Sequence, residues 1–385
     1  MIVIKKIKVL EAISDTNIGG AGRLLISRIK NSDKKRFNYF VILPKGSLLA
    51  PLLKGVGANI IELNACKDES FDFRSIFKVY KIIKRIKPDI LNAHACITAR
   101  IAGRFAGVRV NLYTRHCDFP IKKIYSIPTI RNAMKKFNSI FNDGVIAVSQ
   151  SAKINLLMLG VPEKKIKVII NGAQALTPID FSQRQKIKAG LKIPADAIVV
   201  SIFARLEEYK DHKTFLRAAK VLNKYSDKIY FLVVGSGSLD KELKNYAKKL
   251  GVEKQVLFLG FIDDISNIMN ITDINVNCSI GTETSSLALS EGMSLGVPAI
   301  ASDYLGNKYI VKNKVNGLIF TQKDYKGLAS RILLLSRDKA LYNQLSKNAK
   351  IRFKEELNAK RMTQETEKYY LSMLNKTDSK NCEHL

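Results

Sequence analysis

The chain has 385 residues, of which 46% are apolar and 25% are charged. This composition excludes wholesale disorder and suits two domains of roughly 150 to 200 residues each. No run reaches the ~20 apolar residues of a membrane span, and no signal-peptide cleavage pattern follows the basic start, so we expect a cytoplasmic protein. The net charge is +30, and residues 1–175 carry 31 Lys and Arg against 11 Asp and Glu. The first half is therefore expected to bind an anionic partner, either a membrane surface or nucleic acid. The alternative is that its lysines are simply solvated.

Strand and helix patterns alternate along the whole chain, which predicts α/β domains with parallel sheets covered by helices. A helix over residues 73–87 ends before Pro88, which cannot continue it. The strands expected in the first half are residues 7–13, 39–43, 59–63, 89–94, 110–114, 144–149 and 168–173. The strands expected in the second half are residues 198–203, 230–234, 256–259, 274–277 and 298–301.

The division into domains follows from residues 174–194, a polar segment with two prolines that we expect to connect two sheets. The first Rossmann-like domain then covers residues 1–175 and the second covers residues 195–352. A C-terminal helix and tail occupy residues 353–385.

Two carboxylates, Glu283 and Glu291, stand on either side of seven residues just after a predicted strand. Ser285 or Ser286 is expected to cap a helix that begins there. The free N–H groups and the positive dipole end of such a helix form an anion site suited to a diphosphate. Spacing alone is equally compatible with a capped amphipathic helix whose acids are exposed.

Two cations, Arg205 and Lys210, follow another predicted strand of the second domain. Open α/β sheets bind ligands at the carboxyl ends of their strands, and two cations there suit a diphosphate leaving group. Solvated loop cations paired with Glu207 and Glu208 are the alternative.

Glycines and histidines occur at similar places after other predicted strands. Gly19 and Gly20 in the first domain and Gly235 in the second allow the backbone to approach a ligand, although they would also suit tight turns. His94 and His116 end or follow strands on the expected ligand side. Either histidine, taken alone, is more often a satisfied core or surface residue.

Metal-binding patterns are lacking from the sequence. The five cysteines form no CxxC pair, and the sequence has no Asp-x-Asp pair that could bind a metal bridging to a diphosphate. We therefore expect no metal and no cofactor, with protein cations and helix ends offsetting the charge of the ligand.

These motifs together resemble glycosyltransferase family 4, the retaining glycosyl transferases group 1 with the GT-B fold. The resemblance covers nearly the whole chain, and its blocks are Gly19-Gly20, Val148-Ser149, Asn171-Gly172, the Arg205 to Lys210 loop, the segment from Glu283 to Glu291, and Asn316-Gly317. The family often has an aromatic residue and a glycine where this chain has Ser285 and Ser286. The resemblance implies a GT-B fold, with two facing Rossmann-like domains.

The resemblance also implies roles for the candidate residues. Arg205 and Lys210 would hold the pyrophosphate of the donor, Glu283 would contact the hydroxyls of the donor sugar, and Glu291 would hold the ribose. Further positions implied to bind the donor are Gly19, Gly20, Gly235, and the backbone amides of Leu287 and Ala288. His116 matches a family histidine beside the reacting sugar.

The activity implied is metal-independent transfer of a hexose-like sugar from a UDP- or GDP-sugar, with retention at the anomeric carbon. The acceptor would be a lipid-linked or cell-surface glycan precursor, as in polysaccharide or lipopolysaccharide biosynthesis. A peripheral position on the inner membrane face would use the basic first domain, where Phe119–Tyr125 and Arg131–Phe137 mix cations with apolar residues.

Two other functions remain open at this point. A nucleotide-sugar 2-epimerase has the same two-domain fold and binds the same donor. A nucleic-acid-binding protein is suggested by charge alone, because the sequence has no recognised nucleic-acid-binding motif.

Overall fold

The computed structural model describes residues 5–64, 73–94, 96–118 and 127–382, and the chain forms two compact units. Unit 1 contains residues 1–172 and 359–385, and unit 2 contains residues 173–358. The C-terminal helix therefore belongs to unit 1, whereas the sequence predicts a separate helix and tail over residues 353–385.

Unit 1 contains a parallel seven-stranded sheet in the order β3-β2-β1-β4-β5-β6-β7. Its strands are β1 (Ile7–Ile13), β2 (Phe37–Pro44), β3 (Asn59–Leu63), β4 (Ile90–His94), β5 (Val110–Arg115), β6 (Gly144–Ala147) and β7 (Ile166–Val168). Five consecutive residues of β1 and all of β4 are buried, as expected for parallel strands covered on both faces.

The described helices of unit 1 cover both faces of this sheet. They are α1 (Gly20–Asn31), α2 (Leu49–Gly55), α3 (Phe73–Ile86), α4 (Ile97–Ala106), α5 (Pro128–Phe141), α6 (Gln150–Met158) and α15 (Ala359–Cys382). The strand order reverses after β3, so right-handed crossovers place α1 and α2 on one face and α3 to α6 on the other. Helix α15 returns from the end of the chain and packs against α1.

Unit 2 contains a parallel six-stranded sheet in the order β10-β9-β8-β11-β12-β13. Its strands are β8 (Ile198–Phe203), β9 (Ile229–Val234), β10 (Val256–Gly260), β11 (Ile274–Asn277), β12 (Ala299–Ser302) and β13 (Gly317–Phe320). The helices are α7 (Phe181–Gly190), α8 (His212–Leu222), α9 (Asp240–Leu250), α10 (Ser266–Ile271), α11 (Leu287–Leu295), α12 (Leu305–Ile310), α13 (Tyr325–Arg337) and α14 (Lys339–Arg352). The main core lies between β8, β9, β11 and the helices α8, α9 and α13.

The predicted α/β fold with two parallel sheets is confirmed, and three local predictions were wrong. The strand expected at 168–173 ends at Val168, because Ala173 instead forms a bridge with Asn358. Strand β13 was missed, since its first residue, Gly317, belongs to a turn-like Asn-Gly pair and only three apolar residues follow it. Residues 174–194 are more than a connection: they contain α7, which begins with a capping box between Asp180 and Gln183.

Candidate active site

The candidate site of unit 2 lies where the strand order reverses, between β8 and β11. Loops that leave the carboxyl ends of two such strands border a crevice, the usual ligand position in an open α/β sheet. The loop after β8 carries the predicted residues Arg205 and Lys210, and the loop after β11 carries Glu283. The amide of Ile280 donates to the carbonyl of Tyr209 at 2.9 Å, which joins the two loops.

Glu283 is the centre of a hydrogen-bond cluster in this crevice. Its side chain is buried, and its Oε2 atom accepts from Lys210 Nζ at 2.6 Å, Asn277 Nδ2 at 3.1 Å and Ser279 Oγ at 3.2 Å. A second amide, Asn307 Nδ2, donates to Asn277 Oδ1 at 3.2 Å and so helps to orient the Asn277 side chain. The structure therefore brings together two predicted residues, Lys210 and Glu283, that are 73 positions apart.

The surroundings of Glu283 keep its carboxyl group ionised. Burial alone would raise its pKa, but the Lys210 ammonium and the hydrogen bonds from Lys210, Asn277 and Ser279 outweigh burial and lower the pKa. The ionised carboxylate is a strong acceptor at neutral pH. Such an acceptor suits the hydroxyl groups of a sugar.

The loop before α11 is held in one conformation by close backbone contacts. Thr282 has a φ of 48°, in the left-handed region that a β-branched residue rarely adopts. A Cβ atom at Gly306 would lie 1.7 Å from the carbonyl oxygen of Glu283. Glycine at 306 is thus required for α12 to pack against the loop that positions Glu283.

The cations of the β8 loop are arranged around Tyr209. The Arg205 guanidinium lies 5.8 Å and the Lys210 ammonium 5.4 Å from the centroid of the Tyr209 ring. Arg205 is exposed, whereas Lys210 is mostly buried against Glu283. Among the described residues, no group of three or more His, Cys, Asp or Glu side chains is arranged to hold a metal.

Helix α11 begins where the sequence predicted a capped helix. Ser286 is the N-cap, and its Oγ atom accepts from the amide of Leu289 at 3.3 Å. The amides of Leu287 and Ala288 belong to the first turn, whose N–H groups have no acceptor within a helix. Glu291 lies in the second turn and is half-buried. An anion at this end would meet both free amides and the positive dipole end.

The glycines after β9 have a packing role within unit 2. Gly235 has a φ of 144°, and a Cβ atom there would lie 2.0 Å from the carbonyl oxygen of Ala204. A Cβ atom at Gly237 would lie 2.5 Å from the carbonyl oxygen of Leu206. These contacts hold the β9 loop against the start of the Arg205 loop. A contact of Gly235 with the donor stays a prediction.

The two glycines at the start of α1 are not required by packing within unit 1. Gly19 is the N-cap of α1, and its nearest contact from an added Cβ atom would be Asp15 Oδ2 at 3.5 Å. An added Cβ atom at Gly20 would meet no described atom within 4 Å. Gly22 differs, because a Cβ atom there would lie 2.4 Å from the Leu49 side chain.

His116 lies just beyond β5 in unit 1, beside a second histidine. His94 Nδ1 and His116 Nε2 are 2.7 Å apart, and His94 Nε2 is 2.7 Å from Glu11 Oε2. Burial and the nearby His94, Arg28 and Arg115 lower the pKa of His116 well below its usual value, so its ring is neutral at pH 7. The two histidines that sequence reasoning could only treat singly form one hydrogen-bonded pair.

Sequence reasoning missed several supporting residues. Asn277 and Ser279 escaped notice, although two asparagines in the buried strand Ile-Asn-Val-Asn are an unusual signal. Glu11 also escaped notice, although a glutamate within the apolar β1 sequence Ile-Lys-Val-Leu-Glu-Ala-Ile is equally unusual.

Two family models match this chain. Residues 18–174 match the family described as Glycosyltransferase Family 4, and residues 183–352 match Glycosyl transferases group 1. The two matches together cover most of both units. The chain therefore belongs to glycosyltransferase family 4 and has the GT-B fold.

Individual relatives are similar along nearly the whole chain. A UDP-Gal:alpha-D-GlcNAc-diphosphoundecaprenol alpha-1,3-galactosyltransferase of Escherichia coli is 28% identical, with 96% of this chain and 98% of that protein covered. A GalNAc-alpha-(1->4)-GalNAc-alpha-(1->3)-diNAcBac-PP-undecaprenol alpha-1,4-N-acetyl-D-galactosaminyltransferase of Campylobacter jejuni is 25% identical, with coverages of 90% and 94%. Among solved structures, Anabaena HepE in complex with UDP and glucose has the same fold, with a TM-score of 0.82, 24% identity and coverages of 95% and 100%.

Proposed function

We propose that the protein transfers a sugar from a nucleotide diphosphate sugar to a lipid-linked or cell-surface glycan precursor, with retention at the anomeric carbon. The observation that carries this proposal is the buried, ionised Glu283 beside Lys210, at the point where the strand order of unit 2 reverses. A fixed carboxylate and a cation side by side match the hydroxyls and the diphosphate of one ligand.

The diphosphate would be bound by Arg205, Lys210 and the first-turn amides of Leu287 and Ala288. These groups oppose the negative charge that grows on the β-phosphate while its bond to the sugar carbon C1 breaks. Protein cations thereby replace a divalent metal, and we expect transfer to persist in the presence of a chelator.

The sugar and the ribose would be bound by the two glutamates. Glu283 accepts hydrogen bonds from the sugar hydroxyls, and Glu291 accepts from the ribose. The acceptor oxygen forms its bond to C1 on the face that the leaving phosphate vacates, and the acceptor proton passes to a phosphate oxygen. His116, neutral at pH 7, stabilises the developing positive charge of the sugar.

The names of the relatives support a donor and an acceptor class. The Escherichia coli relative is named for a UDP-sugar donor, and both curated relatives are named for undecaprenol-linked acceptors. We propose a UDP-sugar ahead of a GDP-sugar, and an acceptor on a polyprenyl diphosphate.

One face of unit 1 supports a peripheral position on the cytoplasmic side of an anionic membrane. Helix α3 packs against α4 and α4 packs against α5, and the three helices contain no acidic residue. Their nine exposed cations are Arg74, Lys78, Lys81, Lys84, Arg85, Arg104, Arg131, Lys135 and Lys136. Phe73, Phe77 and Phe105 are exposed among them. Cations near anionic headgroups contribute about 1 kcal/mol each.

The membrane prediction rests on α5 and its neighbours, since residues 119–126, which include the predicted segment Phe119–Tyr125, lie outside the described residues. No helix in the described ranges is both long enough and apolar enough to cross a membrane.

Transfer is tested with radiolabelled UDP- and GDP-sugars and a synthetic undecaprenyl-diphosphate-linked acceptor, with and without a chelator. Retention is read from the anomeric configuration of the product by NMR. Inversion at sugar C2 without an acceptor would instead establish the epimerase. Lack of product from every donor, or an inverted anomer, would contradict the proposal.

Membrane binding is tested by cosedimentation with vesicles of phosphatidylglycerol and phosphatidylcholine, compared with phosphatidylcholine alone. Changing Arg131, Lys135 and Lys136 to Gln should weaken binding to the anionic vesicles. The matched control changes three exposed cations of α9 to Gln, namely Lys241, Lys248 and Lys249. Equal binding to both vesicle types, or preference for duplex DNA at the same salt, would overturn the membrane assignment.

A further inference from the structure

Three side chains of unit 1, Glu11, His94 and His116, form a hydrogen-bonded series, of which Glu11 and His94 are buried. Glu11 lies in β1, His94 ends β4 and His116 follows β5. Glu11 Oε2 is 2.7 Å from His94 Nε2, and His94 Nδ1 is 2.7 Å from His116 Nε2. The proposed function uses His116 but assigns nothing to the other two.

The charge of Glu11 is balanced by Arg28, which is not one of these three residues. Arg28 Nη2, from α1, is 2.6 Å from Glu11 Oε1. The hydroxyl of Tyr370, from α15, donates to the same oxygen at 3.1 Å, and Asn92 Nδ2 donates to Oε2 at 3.0 Å. Burial would raise the pKa of Glu11, but Arg28 and His94 outweigh burial and lower it to about 2. Glu11 is thus an anion already neutralised by Arg28.

Which atoms donate and which accept among Glu11, His94 and His116 follows from this charge balance. The ionised Glu11 can only accept, so His94 Nε2 must carry a proton. Arg28 and Asn92 approach the same Nε2 atom only to 3.5 Å, and both offer only donors there.

The bond between His94 and Glu11 bears on the hydrogen bond that His94 makes with His116. With its single proton on Nε2, His94 offers Nδ1 as an acceptor, and His116 Nε2 donates to it. His116 is itself neutral, so its proton lies on Nε2 and its Nδ1 atom is an acceptor. The other nitrogen of a histidine commonly fixes its tautomer in this way.

We propose that Glu11 and His94 are positioning residues that hold His116 in one orientation and in the Nε2–H tautomer. This inference rests on the proposed function, in which His116 meets the donor sugar. A ring held this way presents Nδ1 as a fixed acceptor and cannot rotate to exchange its two nitrogens without breaking the bond to His94.

The tautomer is tested directly on the wild-type protein without substrate. The chain has four histidines, so long-range ¹H–¹⁵N spectra can be assigned with single His→Gln variants. We expect His116 to be the neutral Nε2–H form at pH 7, with a proton on Nε2 of His94. An Nδ1–H form of His116 would overturn the proposal without bearing on whether the protein transfers sugar.

Activity tests separate positioning from a general loss of structure. His94→Leu removes the acceptor for His116 and should lower kcat roughly ten- to a hundred-fold, as is typical for loss of an orienting hydrogen bond, with KM for the donor little changed. His94→Gln retains a carbonyl for His116 and an amide donor for Glu11, and should restore most of kcat. Asp89→Asn is the control, since Asp89 accepts from the Lys8 amide at the opposite end of β1 and β4.

Each outcome bears on the inference. Rescue by Gln but not by Leu, with an unchanged control, supports positioning through hydrogen bonds. Equal kcat in the Leu and Gln variants would overturn it, and the wild-type spectra decide the matter if the Leu variant fails to fold. Absence of transfer by the wild-type protein would contradict the proposed function and leave the tautomer result standing.

Discussion

Replacing Glu283 by Gln separates sugar binding from diphosphate binding, because the two share Lys210. Lys210 Nζ is 2.6 Å from Glu283 Oε2, and both side chains are about nine-tenths buried. The substitution keeps the shape but removes the negative charge. Lys210 then has no anionic partner in the pair and becomes more available to a bound diphosphate.

Glu283→Gln should have opposite effects on the diphosphate and on the sugar, because it frees Lys210 for the diphosphate and removes an acceptor from the sugar. A charge-assisted hydrogen bond is worth roughly 1.5 to 3 kcal/mol, and a diphosphate that no longer competes for Lys210 should recover part of this. UDP should bind to Glu283→Gln as tightly as to wild type, or up to about ten-fold tighter. Transfer should fall roughly a hundred- to a thousand-fold, as for other lost transition-state contacts. Glu291→Ala should weaken UDP by about ten- to a hundred-fold, through loss of the ribose bond.

Calorimetry with UDP and single-turnover transfer measure the two effects separately. Glu242→Gln is a matched control, because it breaks a Lys–Glu pair of similar length, 2.7 Å to Lys213, on the exposed surface of the same unit. That control should leave both measurements unchanged.

The separate roles of the two glutamates would be refuted if Glu283→Gln weakened the binding of UDP as much as Glu291→Ala does. They would also be refuted if both variants bound UDP and transferred sugar at wild-type levels. In the second case both carboxylates would serve only the structure of the helix and its preceding loop.

Three further predictions concern stability. The pKa of Glu11 falls from 4.5 to about 2 on folding, which contributes roughly 3 kcal/mol to the free energy of unfolding. This contribution is present above pH 4.5 and is lost as the pH falls towards 2. In denaturant titrations, the free energies of unfolding of Glu11→Gln and wild type should differ at pH 7 and converge in acid. Gly235→Ala should destabilise by about 3 kcal/mol or more, since its Cβ would meet Ala204, whereas Gly251→Ala, with a φ of 68° and open space, should cost about 1 kcal/mol by thermal unfolding. Ser286→Ala should cost about 1 kcal/mol by removing the cap of α11, and an unchanged melting temperature would contradict that role.

Much of the fold was predictable because its signals are local. The strands at Ile7–Ile13, Asn59–Leu63, Ile198–Phe203 and Ile274–Asn277 have the predicted bounds, since apolar runs between turn residues mark buried parallel strands. The short strand Gly317–Phe320 was missed because it pairs with β12 through a tertiary contact. Four residues are too few for their own sequence to predict that pairing.

The candidate site of unit 2 was predictable in its residues but not in its contacts. Position after a strand was enough to select Arg205, Lys210 and Glu283, because the carboxyl ends of parallel strands meet at one edge. That Asn277 and Ser279 would complete the bonding of Glu283 depended on the conformation of one loop, which sequence spacing does not fix.

The sequence by itself determined the two parallel sheets, the family and the candidate residues of the donor site. Only the tertiary structure joined Glu11, His94 and His116, and only it brought Tyr370 to Glu11 from 359 residues away. The physical reason is that a buried carboxylate must find its donors wherever the fold supplies them, and here α15 folds back onto unit 1 to supply one. Periodicity describes which face of an element is buried, but not which polar groups meet there.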